Sequence, residues 1–489
     1  MKKISVDPIT RLEGHGKIEI FVNDAGEVAN VYFQIPELRG FERFCVGRPV
    51  EELARITPRI CGVCPEAHHM ASAKAIDAVF GVEPTPAGRR LRELLYNAFF
   101  VTDHTTHFYI LAGPDFVIGP TADPAERNIL GIVHKVGLET TNALLNLRAE
   151  AAELISIIGG KQIHPVCCLP GGVSKAVSAE EQERMKQITA GMVEFAKFTL
   201  QLFDDVVLKN NDYVDLIKSD AFTHQTYSMG MVDENNHVNF YDGKIRVTAP
   251  DGTEFVKFEG KDYLDNLAEH VEPYSYLVYP YLKKVGWKGF VDGKDSGVYK
   301  ATPMSRLNAA DGMATPLAQA EYERYFSTLG GKPVHATLAT HWARLVELMY
   351  AAERAHELAG DPDLTDPNVR TIPEGIVGEG IGVVEAPRGT LYHHYKTDDE
   401  GMVTNVNLIV GTTNNNAAIS MSLKKAAEGL IKGGTEISEG TLNMIEMAFR
   451  AYDPCFGCAT HTLPGDMPLE VVTKSEATGE VIASARRNM

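Results

Sequence analysis

The sequence is poor in cysteine, in tryptophan and in positive charge. Its 489 residues include seven cysteines and two tryptophans, and 47 Lys and Arg residues face 65 Asp and Glu residues. The net charge of -18 argues against a nucleic-acid partner and against binding to anionic lipid, because both surfaces repel an acidic protein. Cysteines that are few, odd in number and mostly clustered fit a reducing compartment better than a disulfide framework.

Long hydrophobic runs are also missing from the sequence. No apolar stretch reaches the roughly 20 residues that cross a bilayer. The N-terminal stretch MKKISVDPITRLEGHGKIEI becomes polar too early for a secretory signal. We therefore expect a cytoplasmic protein without a membrane span, while export together with a partner that carries the signal stays open.

Helical periodicity dominates the chain, with β-like patterns in two regions. Residues 16–35 alternate as a β-hairpin does, and residues 222–300 combine short β-like pieces with Asp-Gly turn signals. Short strands are expected near 379–385 and 402–410. Helices are expected from about residue 49 and near 86–112, 124–158, 178–217, 315–329, 336–359, 416–432 and 438–451.

These patterns predict an α+β fold that is mainly α, with a helix-bundle core and small β-sheets at its periphery. We expect an N-terminal β-hairpin segment (1–48), a helical core (49–221 and 301–461), a β-rich insertion (222–300) and a C-terminal extension (462–489).

Two CxxC pairs stand at opposite ends of the chain. The first lies in RICGVCPEAHH (59–69) and the second in DPCFGCATH (453–461). Either pair alone could be a redox dithiol, half of a zinc site or a chance pair. Together they form the four-thiolate set that zinc, an iron–sulfur cluster or nickel requires.

The spacing of the pairs argues against structural zinc. The usual zinc pairs lie roughly 15 to 20 residues apart and staple a small domain. Here 390 residues (455 − 64 − 1) separate Cys64 from Cys455, and a chain of this size needs no such staple. A site built from both ends of the chain therefore indicates function, and we expect Arg59 to compensate the negative charge of its thiolates.

At these residues the chain resembles the large, catalytic subunits of nickel–iron hydrogenases. That family carries RxCGxCxxxH near the N-terminus and DPCxxCxxH near the C-terminus, and both motifs are complete here. Relatives of the same fold in respiratory complex I have lost the four cysteines, so their retention favours an active metal site. Further matching segments are DPITRLEGHGKIE (7–19), LRGFE (38–42), DHTTHFY (103–109), GGKQIHP and PGGV (within 159–173) and EAPRGTL (385–391).

The resemblance implies a dinuclear centre that cleaves H2 reversibly into protons and electrons. In it, four thiolates bind nickel, and Cys64 and Cys458 also bridge to iron, while Cys61 and Cys455 are terminal ligands. The iron of the family carries cyanide and carbon monoxide, which side chains cannot supply.

The resemblance also implies roles for residues around the metals. Arg388 and Thr412 match the positions that hold the cyanide ligand, and an ordinary ion pair is the alternative for Arg388. Cys458 matches the first proton acceptor, and Glu13 of RLEGH passes the proton outward. The alternative for Glu13 is a structural carboxylate paired to a neighbour, Arg11 or His15.

A second metal is implied next to the centre. Glu42, His461 and the backbone carbonyl of Leu408 match a position that holds magnesium or iron in relatives. Oxygen ligands favour magnesium, and the histidine nitrogen leaves iron open. The other three cysteines, Cys45, Cys167 and Cys168, are too few for a four-thiolate cluster and are expected to pack as small hydrophobic residues.

Electrons must therefore leave through another chain. The resemblance implies an iron–sulfur small subunit that carries the clusters, and further electron-transfer subunits, of which heterodisulfide reductase is one possibility. RLNAADGMATPLA and CATH are similar to the cytoplasmic heterodisulfide-reductase-linked or methyl-viologen-reducing branch. The alternatives that stay open are NAD-reducing or deazaflavin-reducing enzymes, a zinc-stabilised scaffold, and a non-catalytic complex I-type energy-coupling subunit.

The C-terminal extension departs from the mature form of the family. Mature large subunits end after the histidine that matches His461, because a maturation peptidase removes a tail once nickel-insertion proteins have loaded the metal. Here 28 residues (489 − 461) follow. We expect either that this chain is the precursor or that the protein keeps its tail.

Overall fold

Helices form most of the interior in the computed structural model, which describes residues 2–432, 437–460, 469–475, 478 and 481–487. The helices of these ranges are α1 (Phe41–Cys45), α2 (Leu53–Ile56), α3 (Pro65–Val79), α4 (Pro86–Thr106), α5 (Ile129–Gly159), α6 (Ala179–Phe203), α7 (Asn211–Lys218), α8 (Tyr263–Asn266), α9 (Pro303–Ala309), α10 (Pro316–Leu329), α11 (Thr340–Gly360), α12 (Asn416–Leu430) and α13 (Glu439–Arg450).

The strands of the same ranges are short. They are β1 (Lys2–Val6), β2 (Lys17–Val22), β3 (Val28–Gln34), β4 (Cys168–Leu169), β5 (Gly172–Val173), β6 (Tyr227–Val232), β7 (His237–Val238), β8 (Lys244–Thr248), β9 (Glu254–Glu259), β10 (Leu267–Val271), β11 (Val278–Leu282), β12 (Tyr299–Lys300), β13 (Gly312–Met313), β14 (Glu379–Ala386), β15 (Gly389–Thr397), β16 (Val403–Ile409), β17 (Leu469–Lys474) and β18 (Val481–Arg487).

The strands pair into several small sheets. The largest has the order β13-β7-β6-β8-β9, and β12 pairs with β6 in parallel. The antiparallel sheets β1-β2-β3 and β14-β15-β16 have three strands each, while β4-β5, β10-β11 and β17-β18 are two-stranded. The predicted hairpin at 16–35 is β2 and β3, to which β1 adds a third strand.

Two helices that are buried over most of their length lie at the centre. Every residue of α11 from Thr340 to Ala352 is buried, and α3 buries nearly all of its length, including His68 and His69. A helix that is buried all round belongs to the core of a large protein. Because α3 begins directly after Cys64, the first cysteine pair is delivered to the interior.

The sheet β14-β15-β16 lies in the interior against α3. A Cβ at Gly382 would lie 2.0 Å from the Ala71 carbonyl oxygen, and one at Gly380 would lie 2.2 Å from that of Ala75. Glycine at these positions therefore lets a strand backbone contact a helix backbone directly. The fold class, α+β and mainly α, is confirmed. The sheet β14-β15-β16 lies inside the molecule, whereas the prediction put the small sheets at its periphery.

The predicted helices are present, and their ends differ. The helix expected at 124–158 begins at Ile129. The Asn128 side chain caps it by accepting hydrogen bonds from the backbone N–H groups of Leu130 and Gly131. The helix expected at 178–217 begins with the predicted capping box of Ser178 and Glu181. It ends in a π-helical turn at Asp204–Leu208, and α7 follows as a separate helix that Asn210 caps.

Strands β6 to β12 all fall within residues 222–300, where the turn signals predicted β structure. Their apolar side chains share a core cluster with residues of β14–β16, among them Val383, Tyr392 and Ile409. Division of the chain into domains stays a prediction. The predicted C-terminal extension contains the hairpin β17-β18.

Gly382→Ala tests the contact between β14 and α3. The added methyl group overlaps the Ala71 carbonyl, so the free energy of unfolding should fall by about 3 kcal/mol, measured as a lower thermal midpoint of the full chain. Gly360→Ala is the matched control, since no atom outside its own helix lies within 4 Å of a Cβ there. Equal thermal midpoints for the two variants would show that β14 can move away from α3 with little loss of stability.

Candidate metal centre

The first cysteine pair lies where a 3₁₀ turn passes into α3. Cys61 is extended (φ −130°, ψ 143°), and Cys64 precedes Pro65, the first residue of α3. The Cys61 sulfur accepts the backbone N–H groups of Val63 at 3.2 Å and of Cys64 at 3.0 Å. These donors and the positive end of the α3 dipole stabilise negative charge on sulfur.

The second pair is positioned by the N-terminal segment. Glu13 forms a parallel bridge with Cys455, in which the Glu13 N–H donates to the Pro454 carbonyl at 3.3 Å and the Phe456 N–H donates to the Glu13 carbonyl at 3.0 Å. The Thr412 hydroxyl oxygen accepts the Cys455 N–H at 3.0 Å. The chain reaches this bridge through Asp453, whose φ of 56° turns it sharply after α13.

The four thiols form one buried cluster. Their sulfur atoms all lie within 4.8 Å of one another. Within each pair the sulfurs are 3.0 Å (Cys61–Cys64) and 2.8 Å (Cys455–Cys458) apart, and between pairs they are 3.5 Å (Cys61–Cys455) and 3.7 Å (Cys64–Cys458) apart. The structure therefore brings the four sequence-predicted ligands into the geometry of a metal site.

Neighbouring thiols change one another's acidity. Burial raises the pKa of Cys61, but hydrogen bonds from Cys455, Cys458 and Cys64 outweigh it and lower that pKa well below its ordinary value. Burial and the Cys458 thiol raise the pKa of Cys455 well above its ordinary value. Since charge on one sulfur opposes charge on the next, only cations can hold all four as thiolates.

Arg388 is the buried cation next to the cluster. It is 4% exposed, and its guanidinium contacts Asp103 at 3.0 Å and Asp453 at 2.8 Å. Although burial lowers its pKa, the two carboxylates hold that pKa well above the ordinary value. Its buried Nε–H has no hydrogen-bond partner among the described residues. Arg59, which we expected to compensate the thiolates, is exposed, so its part in this compensation stays a prediction.

A second buried arginine holds the loop that carries Arg388. Arg306 donates to the carbonyl groups of Ala386 at 2.9 Å and Pro387 at 3.1 Å. Glu347 and Glu385, both fully buried, neutralise its charge through contacts of 2.6 Å and 3.1 Å. Arg306 is the first residue of RLNAADGMATPLA, a segment that carries the resemblance, but its role was not predictable because its partners are distant in the chain.

Arg39 joins the two cysteine loops. Its guanidinium donates to the carbonyl of Ile60, just before the first pair, and to that of Gly457 at 3.2 Å, inside the second. Its backbone N–H donates to the Thr460 carbonyl at 3.0 Å, and Thr460 is fully buried. One residue thus fixes both loops, and it lies within the LRGFE segment that the sequence singled out.

Glu13 contacts a cysteine other than the expected one. Its Oε2 accepts the Cys455 thiol at 3.0 Å and the Gly457 N–H at 2.9 Å. The Cys458 sulfur, which the resemblance implied as the first proton acceptor, contacts the sulfurs of Cys455 and Cys64; its role in proton transfer stays a prediction. A Cβ at Gly457 would lie 2.6 Å from the Glu13 carboxylate, so glycine makes room for the contact.

The alternative interpretation of Glu13 as an ion-pair partner finds no support. Arg11 instead pairs with Asp115 at 2.5 Å, and His15 pairs with Glu37 at 2.7 Å.

Two of the three residues expected at a second metal lie together. Glu42 is 5% exposed, and its carboxylate accepts the Leu408 backbone N–H at 2.7 Å. Burial raises the pKa of Glu42 to about 8. The contact therefore uses the N–H of Leu408, whereas the expectation concerned its carbonyl. His461 lies outside the described residues.

The remaining cysteines divide into one isolated thiol and one cluster. Cys45 is buried, and burial raises its pKa to about 12. Cys167 and Cys168 instead lie against His69, and the ligand atoms of the three residues fall within 4.8 Å of one another. The sequence predicted two small hydrophobic residues here, and no spacing rule connects His69 to positions about a hundred residues later.

No helix in the described part of the chain is long and apolar enough to cross a membrane. This agrees with the sequence-based expectation for those residues.

Comparison with known proteins identifies the family. The family model described as nickel-dependent hydrogenase matches residues 39–128 and 298–461, and a model described as HoxL-like matches residues 3–38. Together with the cysteine cluster, these matches support the hydrogenase interpretation and not the complex I-type alternative.

Several relatives are similar over nearly their whole length. The chain is 48% identical over 486 residues to an iron-sulfur subunit of the F420-non-reducing hydrogenase of Archaeoglobus profundus, covering 99% of this chain and 100% of the relative. It is 40% identical over 487 residues to a subunit of the F420-non-reducing hydrogenase of Methanothermobacter marburgensis, covering 99% of both chains. It is 37% identical over 500 residues to the beta subunit of the NAD-reducing hydrogenase HoxS of Cupriavidus necator, covering 99% of this chain and 100% of the relative.

Solved structures agree with these relatives. The crystal structure of an NAD+-reducing [NiFe]-hydrogenase in the H2-reduced state superposes with a TM-score of 0.88 at 35% identity, covering 94% of this chain and 100% of the other. The chain belongs to the nickel-dependent hydrogenase family, in which it is a large subunit, and it is an oxidoreductase.

Proposed function

We propose that Cys61, Cys64, Cys455 and Cys458 hold nickel, and that Cys64 and Cys458 also bind iron. The single observation that carries this proposal is the convergence of four buried sulfurs from both ends of the chain. Soft thiolates select nickel and iron over magnesium or calcium. When bound, this pair of metals supplies the heterolytic cleavage of H2 into protons and electrons.

The second cysteine of each pair suits the bridging role. The sulfurs of Cys64 and Cys458 lie 3.7 Å apart across the two loops, and each also contacts the first cysteine of its own pair. Two metals that share this edge would be held close together. Cys61 and Cys455 then act as terminal ligands.

Arg388 and Thr412 fit an iron that carries cyanide and carbon monoxide. Cyanide accepts hydrogen bonds, and the buried Nε–H of Arg388 offers a donor without a partner among the described residues. The Thr412 oxygen accepts the Cys455 N–H, which leaves its O–H free to donate. The two acids beside Arg388 hold the guanidinium in place, so its ion pairs are compatible with this role.

Proton transfer runs from the Cys455 sulfur to Glu13. The 3.0 Å contact between them is within hydrogen-bond reach, which is the first requirement of an acid–base pair. The Gly457 N–H fixes the same carboxylate oxygen and orients it towards the sulfur. This assignment replaces Cys458 by Cys455 as the partner of Glu13 and keeps Cys458 as a ligand.

Glu42 and Leu408 hold a second metal, magnesium or iron, together with His461. The support is the burial of the Glu42 carboxylate beside Leu408, where it accepts a single backbone hydrogen bond. A hard cation would compensate such a charge.

The relatives are subunits of hydrogenases with several subunits. We infer that the direct partner is an iron–sulfur small subunit, with further electron-transfer subunits beyond it, for which heterodisulfide reductase or NAD-linked subunits are candidates. Iron–sulfur clusters belong to the partners only, since four of the seven cysteines are used by the centre. Nickel-insertion proteins load the metal, and a maturation peptidase then removes the C-terminal extension. The complex works in the cytoplasm without contacting nucleic acid.

Cys458→Ser tests the proposed centre. Replacing a bridging thiolate by a hard, weakly acidic hydroxyl should abolish stable nickel binding and bring H2/D2O exchange to background. Nickel content and the infrared bands of metal-bound cyanide and carbon monoxide are measured alongside. Cys45→Ser is the matched control, because Cys45 is equally buried and lies outside the cluster. Full exchange in Cys458→Ser, or a matured protein that holds zinc and shows none of these bands, would rule out the centre.

Glu13→Gln tests the proton step. Glutamine keeps the size of the side chain and cannot accept a proton, so H2/D2O exchange should fall roughly 100-fold or more, while nickel content and infrared bands stay unchanged. Glu19→Gln makes the same change at a surface ion pair with Lys3 and should leave exchange intact. Wild-type exchange in Glu13→Gln would remove the residue from proton transfer.

Arg388→Lys tests the hydrogen bond to cyanide. Lysine keeps the charge and loses the Nε–H, so the cyanide bands should shift and turnover should fall roughly 10- to 100-fold. Arg354→Lys, at a partly exposed ion pair of α11, is the control. Unshifted bands would limit Arg388 to its ion pairs with Asp103 and Asp453.

A further inference from the structure

We propose that His69, Cys167 and Cys168 form a second soft-metal site, which takes a thiophilic divalent cation such as zinc. The three residues are 0%, 2% and 5% exposed, and their ligand atoms lie within 4.8 Å of one another. The site is separate from the four-cysteine centre and shares no residue with it.

The distances fit three corners of a tetrahedral ion. The Cys167 sulfur lies 3.9 Å from the Cys168 sulfur and 3.7 Å from His69 Nε2. An ion with Zn–S bonds of roughly 2.3 Å and a Zn–N bond of roughly 2.1 Å separates its ligand atoms by roughly 3.6 to 3.8 Å. One cation can therefore reach these ligand atoms with only small movements.

The tautomer of His69 is the one that a metal ligand needs. Its Nδ1–H donates to the Ala54 carbonyl at 2.7 Å, which leaves a lone pair on Nε2, the nitrogen nearest the cysteines. That lone pair accepts the Cys168 backbone N–H at 3.1 Å. Metal binding exchanges this hydrogen bond for a coordinate bond.

The turn that carries the cysteines is held rigidly. Arg92 donates to the carbonyl groups of Leu169 and Gly172, both at 2.8 Å, and the Asp77 carboxylate accepts the Gly171 N–H at 2.8 Å. A Cβ at Gly171, where φ is +80°, would lie 2.1 Å from the Thr371 carbonyl oxygen. These contacts fix the β4-β5 hairpin against α3 and α4, so the ligands are positioned before the ion arrives.

Charge selects a divalent ion. Arg92 is already paired with Asp77 at 2.5 Å, so this neighbouring pair contributes no net charge. Two thiolates and a neutral imidazole then balance a dication, whereas a monovalent ion would leave a buried negative charge. Sulfur ligands exclude magnesium and calcium. Bound in this way, the cation would tie the β4-β5 hairpin to α3, the helix that begins behind Cys64.

Cobalt(II) is the probe for this site, because thiolate ligands give it intense charge-transfer absorption. Full-length chain is prepared without oxygen and titrated with cobalt alone. His69→Gln and Cys168→Ser should each bind one cobalt per chain fewer than wild type and lose part of the charge-transfer band. The Cys45→Ser control, which removes a buried thiol outside both clusters, should keep the wild-type stoichiometry. Equal stoichiometry in all four proteins would overturn the proposal.

A measurement on unaltered protein covers the case in which the variants do not fold. Elemental analysis of the matured enzyme complex should show one thiophilic dication on this chain beyond nickel, iron and any second-site metal, and X-ray absorption should show two sulfur ligands and a histidine nitrogen. Two outcomes would contradict the proposal: no such metal, or a Cys167–Cys168 disulfide in the peptide map. Because the test does not measure hydrogen turnover, its failure leaves the proposed function untouched.

Discussion

The metal centre depends on the pairing of residues from the two ends of the chain. The backbone bridge between Glu13 and Cys455 holds the second cysteine pair, and its two hydrogen bonds form only when the N-terminal segment and the end of α13 are both in place. Arg450 strengthens this junction, since the guanidinium at the end of α13 donates to the Thr10 side chain at 3.0 Å and to the Thr10 carbonyl at 3.2 Å. The centre is therefore a product of the completed fold.

Buried charge is organised around that junction in pairs. Arg388 has Asp103 and Asp453, and Arg306 has Glu347 and Glu385, so each cation enters the interior with more than one acid. A buried charge without a partner would cost several kcal/mol. Because its two acids neutralise Arg388, that guanidinium can lie beside the cysteine cluster without disrupting the core. The same principle, with a metal ion as the cation, makes the second cluster of thiols chemically reasonable.

Local patterns in the sequence predicted most of this architecture and part of the site. The capping box at Ser178, the strands near Glu379 and Val403 and the meeting of the four cysteines followed from spacing and resemblance. Contacts between distant segments were not predictable in this way. Glu13 meets Cys455 and not Cys458 because the bridge sets its register, and His69 meets Cys167 and Cys168 because α3 passes beneath the hairpin. Arg59 is exposed, and the contact it makes with Arg39 is through its backbone carbonyl, which accepts a hydrogen bond at 3.4 Å.

The burial of Thr460 constrains the order of events during assembly. This residue is fully enclosed, and the Arg39 N–H binds its carbonyl. The peptide bond between Ala459 and Thr460 therefore lies inside the molecule, beyond the reach of a protease acting on the closed form. The loop that ends at Thr460 must therefore open before this bond can be cut.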